Sequence, residues 1–123
     1  MANAGDIVRN FYAAVKKRDM AEARRFLKDD LVFVGLFETY PSAEAYLAAL
    51  TGLLGITTRL DVLTIIGEGD QAAIFFELDT KPPAQATTLV AEWHKVRDGK
   101  IAWVRSAFDG RPFAAMFGGD ERP

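Results

Sequence analysis

The sequence predicts an α+β fold, with three helices laid against one face of a curved antiparallel sheet. Three observations carry this expectation. Apolar residues recur at helical spacing early in the chain, they alternate from Leu60 onward, and glycine-bearing turns punctuate the second half.

The elements follow in order. Ile7, Phe11, Ala14 and Val15 share one helical face, and Asp6 sits near the positive end of that helix's dipole. Asp19 is a suitable N-cap for a second, shorter helix with Ala23, Phe26 and Leu27 as its apolar stripe. Residues 31–37 are β-branched and aromatic and read as a buried strand. Pro41-Ser42 opens a third helix, with Ser42 as cap and Tyr46, Leu47, Leu50, Leu53 and Leu54 turned inward. After Gly55, Leu60, Val62, Thr64 and Ile66 alternate with Arg59 and Asp61, which predicts a half-buried strand. Gly67-Glu68-Gly69-Asp70 turns the chain into a strand over 72–79, and Lys81-Pro82-Pro83 ends it because proline cannot donate to a ladder. Residues 87–96 and 101–108 form a hairpin around Arg97-Asp98-Gly99-Lys100.

Composition narrows the function. At 123 residues the chain fits one domain, 1–123, with a core over about 5–117 and a tail at 118–123. It has no cysteine and one histidine, His94, so thiol chemistry, disulfides and multi-histidine metal sites are excluded. No cofactor or metal is expected. The 15 basic and 17 acidic residues give a net charge of −2, which speaks against nucleic acid as a partner. Lys16-Lys17-Arg18 and Arg24-Arg25 are interrupted by acids and read as solvated helix faces. The longest apolar run, 31–37, falls far short of a membrane helix, and residues 1–6 lack the pattern of a signal peptide. The expected setting is the cytoplasm, with no membrane partner.

Phe11-Tyr12-Ala13-Ala14-Val15 followed by Asp19, Asp29-Asp30-Leu31-Val32-Phe33, Val96-Arg97-Asp98-Gly99-Lys100-Ile101 and Ala107-Phe108-Asp109 occur in that order and spacing. In this the chain resembles the SnoaL-like (polyketide cyclase) branch of the nuclear-transport-factor-2-like superfamily. The resemblance implies a cystatin-like, cone-shaped barrel enclosing a pocket for a small, mostly apolar molecule. It does not fix an activity, because isomerases, cyclases, hydrolases and non-enzymes share the fold.

Glu92 and His94 are two residues apart on one strand and emerge on the same face. Their neighbours depend on the hairpin turn. A two-residue turn brings Ile101, Trp103, Arg105 and Asp109 beside them; a three-residue turn with Gly99 left-handed brings Ala102, Val104, Ser106 and Phe108. Arg-Asp-Gly suits the second, and the resemblance favours it too. Glu92 and His94 then sit among Val90, Val96, Val104, Ser106 and Phe108, while Trp93, Ile101, Trp103 and Arg105 take the opposite face.

A carboxyl and an imidazole in an apolar pocket suit general acid–base work, though a lone histidine is also a common core residue. The resemblance implies a histidine at His94 that assists an acid near the end of the last strand, close to Asp109. Phe11, Tyr12 and Phe33 complete the expected pocket beside Val90, Val104, Ser106 and Phe108. The ketosteroid isomerase branch uses a helix-one tyrosine, a strand-one aspartate base and a protonated acid on a late strand. Counted from Asp19, those positions hold Phe11, Gly35 and Glu92, so only the acid is retained and Tyr12 is left to packing. The epoxide hydrolase branch needs an arginine two residues before an aspartate. Here Glu77-Leu78-Asp79 stands in its place, and the two carboxylates read as a solvated strand end.

The expected function is therefore a binding site for a small apolar ligand, with cofactor-free isomerase or cyclase chemistry on a carbonyl or polyketide-like substrate. The alternative is a non-catalytic binding or interaction module. Trp93, Ile101 and Trp103 on the outer face point to a homodimer, unless residues 113–117 fold back over them.

Overall fold

The computed structural model describes residues 3–117, so the expected tail at 118–123 lies outside the described residues. Helix α1 (Ala4–Lys16) is followed by α2 (Met20–Arg24), β1 (Leu27–Val34), a two-residue β2 (Thr39–Tyr40) and α3 (Ala43–Leu54). Strands β3 (Thr57–Glu68), β4 (Gln71–Thr80), β5 (Ala86–Arg97) and β6 (Lys100–Ala107) complete the sheet, and a 3-10 segment (Arg111–Phe117) follows. Among the described residues, no helix is long and apolar enough to cross a membrane.

Two helices start where the cap chemistry places them. Asp19 accepts a hydrogen bond from the Glu22 amide at 3.1 Å, and Ser42 Oγ accepts one from the Ala45 amide at 3.1 Å. The apolar stripe of α1 is fully inside, with Val8, Phe11 and Val15 inaccessible to solvent.

The six strands run in the order β2-β1-β6-β5-β4-β3. Two expectations need correction. The sheet does not close into a barrel, because β2 and β3 are free edges. Nor is it wholly antiparallel: β1 lies parallel to β6, since the chain returns to β1 only after crossing the whole meander. Strand β1 also starts earlier than the apolar run and stops at Val34. Beyond it, the Gly35 amide bonds the Glu38 carbonyl at 2.9 Å. A Cβ on Gly35 would meet that same oxygen at 2.9 Å, so the tight loop requires glycine.

Two of the sheet's bulges reset side chains that a simple period of two would misplace. In β3, Val62 pairs with Phe76 but Thr64 pairs with Phe75, so one extra residue reverses the alternation. Ile65 then packs inward and Ile66 is 61% exposed, contrary to a simple period of two. At the β5–β6 hairpin, Asp98 and Gly99 have φ of 55° and 77°, which makes a two-residue turn and not the expected three-residue one. The register shift comes later, where Val96 pairs with Ile101 but Lys95 pairs with Trp103. Val104 and Ser106 therefore do stand opposite His94 and Glu92. Ile101 precedes the bulge and points inward, fully buried, so it is not part of the outer patch.

Candidate functional site

The inner face of β5 carries Glu92 and His94 beneath α1, and both are buried. Tyr12, on the inner side of α1, donates its hydroxyl to Glu92 Oε1 at 2.5 Å. His94 Nε2 lies 3.0 Å from the same oxygen. His94 Nδ1 is buried and has no hydrogen-bond partner among the described residues. Oε1 also accepts from Tyr12, and a neutral imidazole whose Nε2 faces an acceptor oxygen donates through Nε2–H. Two donors thus converge on one carboxylate oxygen. Glu92 Oε2 makes no hydrogen bond to any described residue, and Glu92 borders a cavity.

That cavity has a volume of about 380 Å³ and is partly open to solvent. Phe33, Phe76, Val90 and Phe108 form part of its apolar wall, and Tyr46, Thr88 and Ser106 add hydroxyls to the surface that Glu92 borders. Phe33 stacks on Tyr46 at 4.5 Å with 13° between the rings. Leu50 and Leu53 of α3 are only partly buried because they face this space. Burial, and then the Glu92 carboxyl, push the phenols of Tyr12 and Tyr46 well above the ordinary tyrosine range. Both are therefore hydrogen-bond donors at neutral pH.

A raised phenol has a definite consequence for stability. The folded state keeps these protons after the unfolded chain has released them, so stability is complete below the ordinary tyrosine value of 10.0 and falls as pH rises above it. Urea midpoints measured from about pH 8 to pH 11 should decline, and the slope should flatten in Tyr12→Phe/Tyr46→Phe. An identical decline in the double variant would assign it to other groups.

Several expected residues border the cavity, and others do not. Tyr12, Phe33, Val90, Glu92, Ser106 and Phe108 all border the cavity. His94 does not: it is fully buried and reaches the cavity only through Glu92. Phe11 and Val104 are core residues with no exposed surface. Asp109 is outside the cavity lining, on the surface, where Arg111 grips it through Nε at 2.9 Å and Nη2 at 2.6 Å. Those bonds hold its carboxyl at about 2, so it is a fixed anion that also caps the Arg111 amide. Tyr12 is more than packing, because the tyrosine–acid contact is made one residue beyond the position the count from Asp19 indicates. Tyr46 and Thr88 were not anticipated as site residues; a hydroxyl on the inner stripe of α3, as at Tyr46, is the available signal.

Glu77 and Asp79 are not a bare strand end. Arg59 bonds Glu77, Asp79 and Asp61, each at 2.7 Å, on the outer face of the sheet. The 3-10 segment does not cover the tryptophans. Its Phe113 packs edge-on against Phe108 and, with Met116, borders the cavity.

A conserved-domain family described as SnoaL-like matches residues 8–104. The chain is a SnoaL-like domain. Solved structures agree with its fold. A protein from Kribbella flavida is 26% identical, with a TM-score of 0.85 over 99% of this chain and 100% of that one. An NTF2-like protein from Cytophaga hutchinsonii is 18% identical, with a TM-score of 0.79 over 91% and 95%. An LEH-like epoxide hydrolase from M. tuberculosis is 21% identical, with a TM-score of 0.73 over 93% and 88%. No curated protein matches this chain by sequence.

Proposed function

We propose that this SnoaL-like domain binds a small, largely apolar carbonyl compound in its cavity and moves a proton on it through Glu92. One observation carries the reading. Tyr12 and His94 both donate to Oε1 of Glu92, while Oε2 has no partner among the described residues and the residue borders an apolar cavity. Two fixed donors orient the carboxylate, and low polarity around it sharpens its action as a base. In the proposed step, Glu92 takes a proton from the carbon next to the carbonyl. The C–H electron pair becomes the C=C bond of an enolate as the carbonyl π pair moves onto oxygen, which Tyr46 or Ser106 can meet with a hydroxyl. The pair returns to carbon when Glu92 gives the proton back. His94 is a positioning residue in this scheme. The test is exchange of the α-protons of 1-tetralone into deuterated solvent, followed by NMR. The expected result is exchange faster than in buffer, lost in Glu92→Gln and only slowed in His94→Ala. Exchange no faster than in buffer, across a panel of ring ketones, would leave the non-catalytic binding module as the better reading.

We also propose that the outer sheet face closes against a second copy of the chain. Ile66, Leu89 and Trp93 are 61%, 57% and 45% exposed there, a broad apolar surface for a monomer. Trp93 packs edge-on against Trp103 at 4.9 Å, and Lys95 Nζ lies 4.8 Å from each ring, so the three side chains form one packed cluster. Light scattering should give a dimer for the wild type and a monomer with unchanged circular dichroism for Trp93→Glu. A monomeric wild type would reject this.

A further inference from the structure

We propose that the cavity selects its ligand by charge, admitting uncharged ring carbonyl compounds and refusing carboxylates of the same shape, with Glu38 as the specificity-determining residue. The inference rests on the cavity reading above and adds the sign of charge to it.

The lining is one-sided. Among the described residues that border the cavity there are two carboxylates, Glu38 and Glu92, and no lysine, arginine or histidine. Most other carboxylates of the chain are neutralised locally, as Asp29 and Glu44 are by Arg24, and as Asp61, Glu77 and Asp79 are by Arg59. Glu38 is exposed and makes no ion pair with any described residue. Its field reaches the neighbouring wall. The Tyr40 phenol is pushed up, by burial first and then by Glu38.

The aromatic walls act in the same direction. Phe33 lies between Tyr46, stacked at 4.5 Å, and Tyr40, tilted at 6.0 Å. Ring faces carry negative quadrupole density, which attracts cations and repels anions. The cavity is only partly open to solvent, so a charge against its apolar wall is screened less than in bulk water. A carboxylate entering here loses hydration and meets two carboxyl side chains, with no cation among the described lining residues to receive it. A ketone loses little and finds the hydroxyls of Tyr46 and Ser106.

Three probes of one shape separate the possibilities: 2-acetylnaphthalene, 2-naphthoate and 2-naphthylmethylammonium, titrated calorimetrically near pH 7 at low salt. Naphthoate should bind at least about tenfold more weakly than the ketone, and the ammonium within about threefold of it. Glu38→Gln should narrow the ketone–naphthoate gap by about threefold, and Glu38→Lys should narrow it further. Naphthoate binding as tightly as the ketone, or both ions rejected alike, would overturn charge selection while leaving proton transfer at Glu92 standing. Failure of all three probes to bind would overturn the cavity reading, and this inference with it.

Discussion

Glu92→Gln is expected to reduce α-proton exchange by at least about 100-fold, the usual worth of a positioned general base, with little change in thermal stability. The two halves of this prediction have separate causes. Glutamine has nearly the shape of glutamate, and its carbonyl oxygen can accept from both Tyr12 and His94, as Glu92 Oε1 does at 2.5 and 3.0 Å. No buried donor is stranded, so the fold is kept. The amide nitrogen, however, cannot take up a proton. Retained exchange in a folded Glu92→Gln protein would move the base elsewhere. A variant that unfolds would show Glu92 to be structural, and Glu92→Asp would then be compared for partial recovery of exchange.

Phe11→Ala is expected to cost about 3–5 kcal/mol, the range for deleting a large core aromatic. Against a total stability of roughly 5–15 kcal/mol this is a large fraction. Phe11 is fully buried, edge-on to Tyr12 at 5.1 Å and stacked on Tyr46 at 6.2 Å. It is the wedge that fixes both phenols. Its removal leaves a void beside the rings of Tyr12 and Tyr46, so ligand affinity should fall along with the urea midpoint. A loss below about 1 kcal/mol would mean that the neighbouring rings collapse into the space.

Local chemistry was legible in the sequence where one residue decides an outcome. Asp19 and Ser42 cap helices because their side chains reach the amides three residues on, a geometry that depends on nothing distant. Glu92 and His94 share a face because a strand has a period of two. What stayed hidden was set by elements packing together. An inserted residue in a ladder leaves no mark in composition, so the bulges at Leu63 and Ala102 went unread, and with them the outward turn of Ile66 and the inward turn of Ile101. Helical periodicity placed Tyr12 close to the core, but only the height of α1 above the sheet determines that its hydroxyl meets Glu92. Asp109 illustrates the opposite error. Strand β6 ends at Ala107, and Asp109 turns to Arg111 instead of the cavity.

The most direct test is a crystal structure of the protein with 1-tetralone bound. The account predicts the ring system between the aromatic walls of the cavity, its α-carbon facing Glu92 Oε2 and its oxygen within hydrogen-bond distance of Tyr46 or Ser106. A ketone lodged on the outer sheet face with the cavity empty, or held in the cavity with its carbonyl turned away from Glu92, would contradict it.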